Sequence, residues 1–163
     1  MSLLEAAIID NPDDLDNILA DIGTKSTFEA NKDFSLQPHL DTIDRIFSRS
    51  SVEEIVQLLE DDGGEFCGKV LKSLRRASPS SLKVAHRQLT EGARLPSLSP
   101  CLNMEYRLVM GCCANADFYE GVRAQLVDRD NAPKWKPATL QEVTDDVVEA
   151  YFAMLPSDQE LNL

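Results

Sequence analysis

The sequence predicts an all-α domain of roughly seven to nine helices joined by short links, and three observations carry that reading. Apolar residues recur at i, i+3 and i+4 instead of alternating. Candidate helix starts are marked by Asn-Pro or Ser-Pro pairs, or by Ser or Thr followed three residues later by Glu. Aromatic residues make up only 6% of the chain and glycines number 7, and no strand pattern, internal repeat or low-complexity tract is present. At 163 residues the chain is long enough for one domain with its own core, or for a substantial piece of something larger. No apolar run approaches the roughly 18 residues of a membrane-spanning helix, so a soluble chain without a membrane partner is expected.

Taken in order, residues 1–10 read as a partial helix whose start, Met1-Ser2-Leu3, is partly a cloning remnant and carries no export signal. Asn11-Pro12 supplies a cap and a pre-set first helical position, and Leu15, Ile18, Leu19 and Ile22 follow on one face until Gly23. Residues 24–35 are polar and read as a surface connection. A helix from Pro38 carries Leu40, Ile43, Ile46 and Phe47, and Ser51 with Glu54 opens the next, striped by Ile55, Leu58 and Leu59 and stopped by Gly63-Gly64. Phe66, Val70, Leu71 and Leu74 mark a helix ending at Arg75-Arg76, where cations suit the negative helix terminus. Ser78-Pro79 restarts the chain, with Leu82, Ala85, Leu89 and Ala93 predicted as the buried face and Lys83, Arg87 and Arg94 as a solvated stripe.

Leu95–Pro100 reads as a proline-interrupted link into the stretch Met104–Pro137, around which the rest is arranged. Met104, Leu108, Val109 and Cys112 predict a buried helical face. Asp117 is expected to cap the following helix, with Glu120 at its positive end. Pro133 and Pro137 bracket Lys134, Trp135 and Lys136, a segment that cannot be regular helix. Thr139 and Glu142 then predict a terminal helix through Val143, Val147, Val148, Tyr151, Phe152 and Leu155, stopped by Pro156. The helical domain thus spans 11–155, and 156–163 is a frayed tail.

The net charge of −12 is unevenly spread. Residues 1–65 hold 4 basic and 16 acidic groups, residues 66–136 hold 12 and 6, and residues 137–163 hold none and 6. A positive middle block attracts an anionic ligand such as a phosphate-bearing cofactor, or pairs with the acidic blocks. Nucleic acid is not an expected partner, because neither aromatic interleaving nor an overall basic face is present. The four cysteines, Cys67, Cys101, Cys112 and Cys113, form no CxxC pair and have no histidines at metal spacing. Cys112 and Cys113 diverge by about 100° on a helix and read as small core residues in a reducing compartment. His86, on the apolar side of its helix, reads as a packing residue, and His39 as a surface one. No GxSxG elbow, glycine-rich phosphate loop or HExxH occurs, and the pairs Asp13-Asp14, Asp61-Asp62 and Asp145-Asp146 sit at helix ends where solvation accounts for them.

A resemblance adds what the residues alone do not show. Ser78-Pro79 with Ser81-Leu82, Arg87-Gln88-Leu89 with Glu91-Gly92, Met104-Glu105-Tyr106-Arg107-Leu108, Asp117-Phe118, Glu120-Gly121-Val122-Arg123-Ala124, Asp128 and Asp130, and Pro133-Lys134-Trp135-Lys136-Pro137 resemble the C-terminal part of the 3-hydroxyisobutyryl-CoA hydrolases. These are a branch of the crotonase, or enoyl-CoA hydratase/isomerase, superfamily. Weaker similarity runs back to about Asn11. The resemblance implies a mitochondrial matrix enzyme of valine degradation that cleaves the thioester of 3-hydroxyisobutyryl-CoA to the hydroxy acid and coenzyme A. It needs no cofactor, since coenzyme A is part of the substrate.

The family's catalytic carboxylates and oxyanion amides sit in an N-terminal ββα core that no segment here matches. The resemblance therefore implies a multi-helix C-terminal region, lacking that core, with no catalytic residue and no activity of its own. The acyl-CoA substrate and the N-terminal core are the implied partners, and apolar surface left bare predicts a homo-oligomer or a swapped arrangement. In the family the segment after Glu-Gly approaches the nucleotide end of the ligand with a basic run. Here Asp128-Arg129-Asp130 stands in that place, so the implied coenzyme A contacts are Arg129, Lys134, Trp135 and Lys136. The other reading makes Trp135 a loop anchor and the lysines solvated. Two other parents stay open, a related hydratase or isomerase, and a catalytically dead relative serving as a structural component of a mitochondrial assembly such as a ribosomal subunit.

Overall fold

The computed structural model describes residues 34–161 together with Asn17 and Ala20. The helix expected after Asn11-Pro12, those two helical positions apart, and the connection up to residue 33 lie outside them. The chain divides into two units, 1–40 and 41–163. The described part of the first includes a 3-10 turn, Gln37–His39, with proline in its first positions, followed in the chain by helix α1, Leu40–Phe47. Among the described residues there are no strands, and six more helices follow: α2 Val52–Asp62, α3 Glu65–Leu74, α4 Pro79–Gly92, α5 Leu98–Ala114, α6 Ala116–Val122 and α7 Asp145–Phe152. None is long and apolar enough to cross a membrane.

Helices α1 to α3 enclose a first core of Ile46, Ile55, Leu59, Cys67 and Leu71. Ser51 caps α2 by accepting from the Glu54 amide at 3.2 Å, while Glu54 reaches back one residue beyond the cap, to the amide and hydroxyl of Ser50. At the other end Gly63 takes φ +64° and donates its N–H to the Leu59 carbonyl. A side chain there would be strained, so the predicted glycine stop is a backbone requirement.

The second core joins Val84 of α4, Leu108 of α5, and Val143, Val148 and Tyr151 from the end of the chain. Gly111 lets α5 and α7 touch, since a Cβ at that position would lie 2.8 Å from the Tyr151 ring. The buried face of α4 differs from the predicted one. Pro79, Ser80 and Val84 turn inward, whereas Ala85 and Ala93 are exposed and Leu89 is 75% exposed. The reason is visible in the cations expected to be solvated. Lys83 donates to the Val143 carbonyl and pairs with Glu53, and Arg87 pairs with Glu91 and Glu149 while lying 4.2 Å above the Phe152 ring. Long aliphatic stems with charged ends cover more of a neighbouring helix than alanines do.

Other boundaries move for local reasons. Helix α5 begins at Leu98, inside the expected link, because Pro100 falls in its first turn, where no amide partner is lost. Val109 on α5 is exposed rather than buried. The Thr139–Glu142 capping box forms, but it closes only a single 3-10 turn, Leu140–Glu142. Val143 is then extended, Thr144 starts α7, and that helix ends before Ala153 rather than at Leu155. All four cysteines are free; Cys67 is in the core and Cys112 is half-buried, but Cys113, expected inside, is exposed. His86 is half-buried and donates from Nε2 to the Arg49 carbonyl at 3.0 Å.

The contrast between Leu59 and Leu89 is testable. Leu59→Ala empties a fully buried site and is expected to cost about 2–5 kcal/mol in chemical denaturation. Leu89→Ala, in the stripe the spacing favoured, should stay within about 0.5 kcal/mol.

Candidate functional site

Helix α6 and the segment after it form one clasp. Asn115 caps α6 by accepting from the Asp117 amide at 3.0 Å, so Asp117 is not the cap that the sequence predicts. Its side chain points the other way and is 6% exposed. One oxygen accepts from the Ser78 hydroxyl at 2.6 Å, and the other from the Lys136 amide at 2.8 Å. Beyond Val122 the helix loosens into a π segment, Arg123–Val127, in which the Asp128 amide donates to the Arg123 carbonyl at 2.8 Å. Arg129 and Asn131 have φ of 56° and 54° and turn the chain back toward α6.

Arg123 organises that return. Its guanidinium contacts Glu120, Asp128 and Asp130 and also donates to the Ala132 carbonyl. The guanidinium and then the Lys134 amide hold the Glu120 carboxyl far below the usual range, at about 2. Asp130 is lowered as well, chiefly by Arg123, and the three carboxylates in turn raise the guanidinium.

The four residues the resemblance implied do not converge on one point. Trp135 lies across Gly121, where a Cβ would sit 3.3 Å from the indole, and its Nε1 donates to the Arg76 carbonyl at 3.0 Å. That contact is the anchoring role weighed from sequence. The indole lines a cleft of about 680 Å³ together with Arg76, Ser78, Asp117, Phe118 and Tyr151. Lys134, Lys136 and Arg129 are exposed and do not line it. Glu120 and Asp117 bind the amides of Lys134 and Lys136, and their ammonium groups have no ion pair among the described residues. Asp128 and Asp130, which flank Arg129 in sequence, are both taken by Arg123, so Arg129 has no ion pair among the described residues and donates to the Leu126 carbonyl.

Sequence reasoning missed Arg76 as a cleft residue, because at the end of a helix it reads as a partner for the helix dipole. It also missed Asp117 as a tie between Ser78 and Lys136, which lie 39 and 19 residues away and are joined only by the fold. Chemically the clasp offers cations and a flat ring. Ser78 and Asp117 resemble part of a nucleophilic constellation, but no histidine joins them, Ser78 also accepts from the Ser81 amide, and both Asp117 oxygens are occupied. No cluster of metal-binding side chains occurs among the described residues.

A family model described as Enoyl-CoA hydratase/isomerase matches residues 1–152. Proteins named 3-hydroxyisobutyryl-CoA hydrolase, mitochondrial, are similar along most of this chain. The one from Gallus gallus is 47% identical over 80% of this chain and 34% of its own length. That from Danio rerio is 45% identical over 92% and 39%, and that from Homo sapiens 44% over 86% and 36%. The chain thus spans little more than a third of the length of these relatives. Among solved structures, a carnitinyl-CoA dehydratase from Mycobacterium thermoresistibile superposes with a TM-score of 0.76 at 34% identity, over 98% of this chain and 43% of that one.

Acid should open the clasp in a defined window. The folded value of Glu120 is depressed from 4.5 to about 2, so the stability it contributes is fully present above pH 4.5 and is lost as pH falls toward 2. Trp135 is the single tryptophan, and its emission should hold from pH 7 to 4.5 and change below. A change complete above pH 4.5 would show that Glu120 does not hold the loop.

Proposed function

The chain belongs to the enoyl-CoA hydratase/isomerase family, and from that premise we propose that it is the coenzyme-A-facing helical part of an acyl-CoA thioester hydrolase acting on 3-hydroxyisobutyryl-CoA in the mitochondrial matrix. The observation that carries this reading is the 41–47% identity, over most of this chain, to mitochondrial proteins of that name. Arg129, Lys134 and Lys136 meet the phosphates of the ligand. Trp135 fixes the loop that carries them and offers a ring edge to the nucleotide. Coenzyme A enters as part of the substrate, and no separate cofactor takes part.

Hydrolysis of a thioester forms a C–O bond from water, breaks C–S, and returns a proton to the departing thiolate. It requires a group to activate water and donors for the oxyanion. The described residues offer neither in mutual reach, so on this reading both come from an N-terminal ββα core. Exposed Leu98, Val109, Phe118, Tyr119, Leu126 and Val127 support an assembly in which that core or a second copy covers α5 and α6. A second reading, a hydratase or dehydratase parent, is favoured by the solved structures, which are described as a carnitinyl-CoA dehydratase and an enoyl-CoA hydratase.

Two measurements test the first reading. The purified chain should release no thiol from 3-hydroxyisobutyryl-CoA above background, and turnover would overturn the assignment of the reacting groups elsewhere. Coenzyme A titrated against the chain should bind about tenfold more weakly to the double variant Lys134→Ala with Lys136→Ala, a loss of about 1.4 kcal/mol. Unchanged affinity removes the lysines from the site.

A further inference from the structure

Four carboxylates lie around the 128–137 loop, yet among the described residues none forms an ion pair with its projecting cations, Glu120 feeling the Lys134 charge only at longer range. Asp128 and Asp130 bind Arg123; Glu120 binds Arg123 and the Lys134 amide at 2.7 Å; Asp117 binds Ser78 and the Lys136 amide at 2.8 Å. Exposure along 133–137 alternates, with Pro133, Trp135 and Pro137 half-buried and Lys134 and Lys136 exposed. That is the period of an extended chain, in which alternate side chains leave on one side. Asp117 and Glu120 are three apart on α6 and therefore share a face. Their spacing matches two amides belonging to alternate residues of the facing segment.

We propose that Asp117 and Glu120 are positioning residues that select the direction in which Lys134 and Lys136 project, holding both ammonium groups ready for the phosphates of a nucleotide-bearing thioester. This rests on the reading of the lysines given under the proposed function. The two carboxylates act through main-chain amides, so they order the lysines without pairing with them. Trp135 completes the selection from the opposite side. Its indole lies on Gly121, between the two carboxylates in sequence, and its Nε1–H is tied to the Arg76 carbonyl. Rotating the segment so that the lysines turned inward would break both hydrogen bonds from the Lys134 and Lys136 amides and expel the indole. A lysine prearranged in this way loses less freedom when it meets its anion, which raises affinity without a new contact.

A double-mutant cycle on the chain separates positioning from simple support. The probe is coenzyme A, with pantetheine as the phosphate-free control, followed by titration calorimetry. Glu120→Ala removes the amide acceptor and is expected to weaken coenzyme A about three- to tenfold. Glu120→Gln keeps an acceptor oxygen and should stay within about twofold. In the Lys134→Ala, Lys136→Ala background, Glu120→Ala should cause no further loss, and pantetheine should respond to none of these changes. An equal loss from Glu120→Ala with and without the lysines would overturn the proposal, as would an equal loss for pantetheine. So would full affinity in Glu120→Ala while the double lysine variant is weak. If the double lysine variant alone binds coenzyme A normally, the underlying reading of the lysines has failed instead. Asp117→Asn, which retains an oxygen for the Lys136 amide, repeats the test at the second position and should behave as Glu120→Gln does.

Discussion

The buried carboxylate of Asp117 is the constraint on which the clasp depends. A carboxylate taken out of water must be fully hydrogen-bonded or it costs more than the fold can absorb. Asp117 meets that requirement with the Ser78 hydroxyl, which also caps α4, and with the Lys136 amide. One residue therefore fixes the start of α4, the orientation of α6 and the path of the loop after Pro133. Trp135 and Glu120 add ties of the same kind, and together they turn an irregular, proline-bracketed segment into one with a defined outer face.

Electrostatics across the unit divide into two classes. Of the twelve basic groups of the middle block, Lys69, Arg75, Lys83, Arg87 and Arg107 pair with acidic groups of the flanking blocks, Glu65, Glu60, Glu53, Glu149 and Glu160 respectively. The pairs are largely at the surface and individually worth little, but they absorb the block charge that first points to an anionic ligand. What they leave is more informative. Besides Lys72, Arg76 and Arg94, the groups of the block without an ion pair among the described residues are Lys134, Lys136 and Arg129, which sit on one short segment while Asp128 and Asp130 are directed to Arg123. The case for an anion contact rests on those three groups and not on net charge.

Much of the helical architecture was legible in sequence because local rules decided it. Ser51, Gly63 and Ser78 act through their own neighbours, and each stands where its chemistry predicts. The errors have a common cause. The inward face of α4 is set by Lys83 and Arg87 meeting α2 and α7, which no spacing within α4 could reveal. The Thr139 capping box was read correctly, yet it closed one turn, because Val143 leaves the helix to reach the second core. The candidate site was legible only in part. The Lys-Trp-Lys segment was recognisable from its family resemblance, whereas the roles of Asp117 and Arg76 arise from contacts between distant positions. Trp135 is tied to the Arg76 carbonyl and lies on Gly121, and Asp128 and Asp130, which flank Arg129 in sequence, pair with Arg123.

The central claim is that the 128–137 loop presents its cations to the phosphates of coenzyme A. The most direct measurement is a titration of isotopically labelled chain with coenzyme A, followed by NMR amide shifts at two salt concentrations. The account predicts that the amides of Arg129, Lys134 and Lys136 and the indole of Trp135 move first, and that added salt weakens the response. Shifts that spare this loop, or that are insensitive to salt, would contradict it.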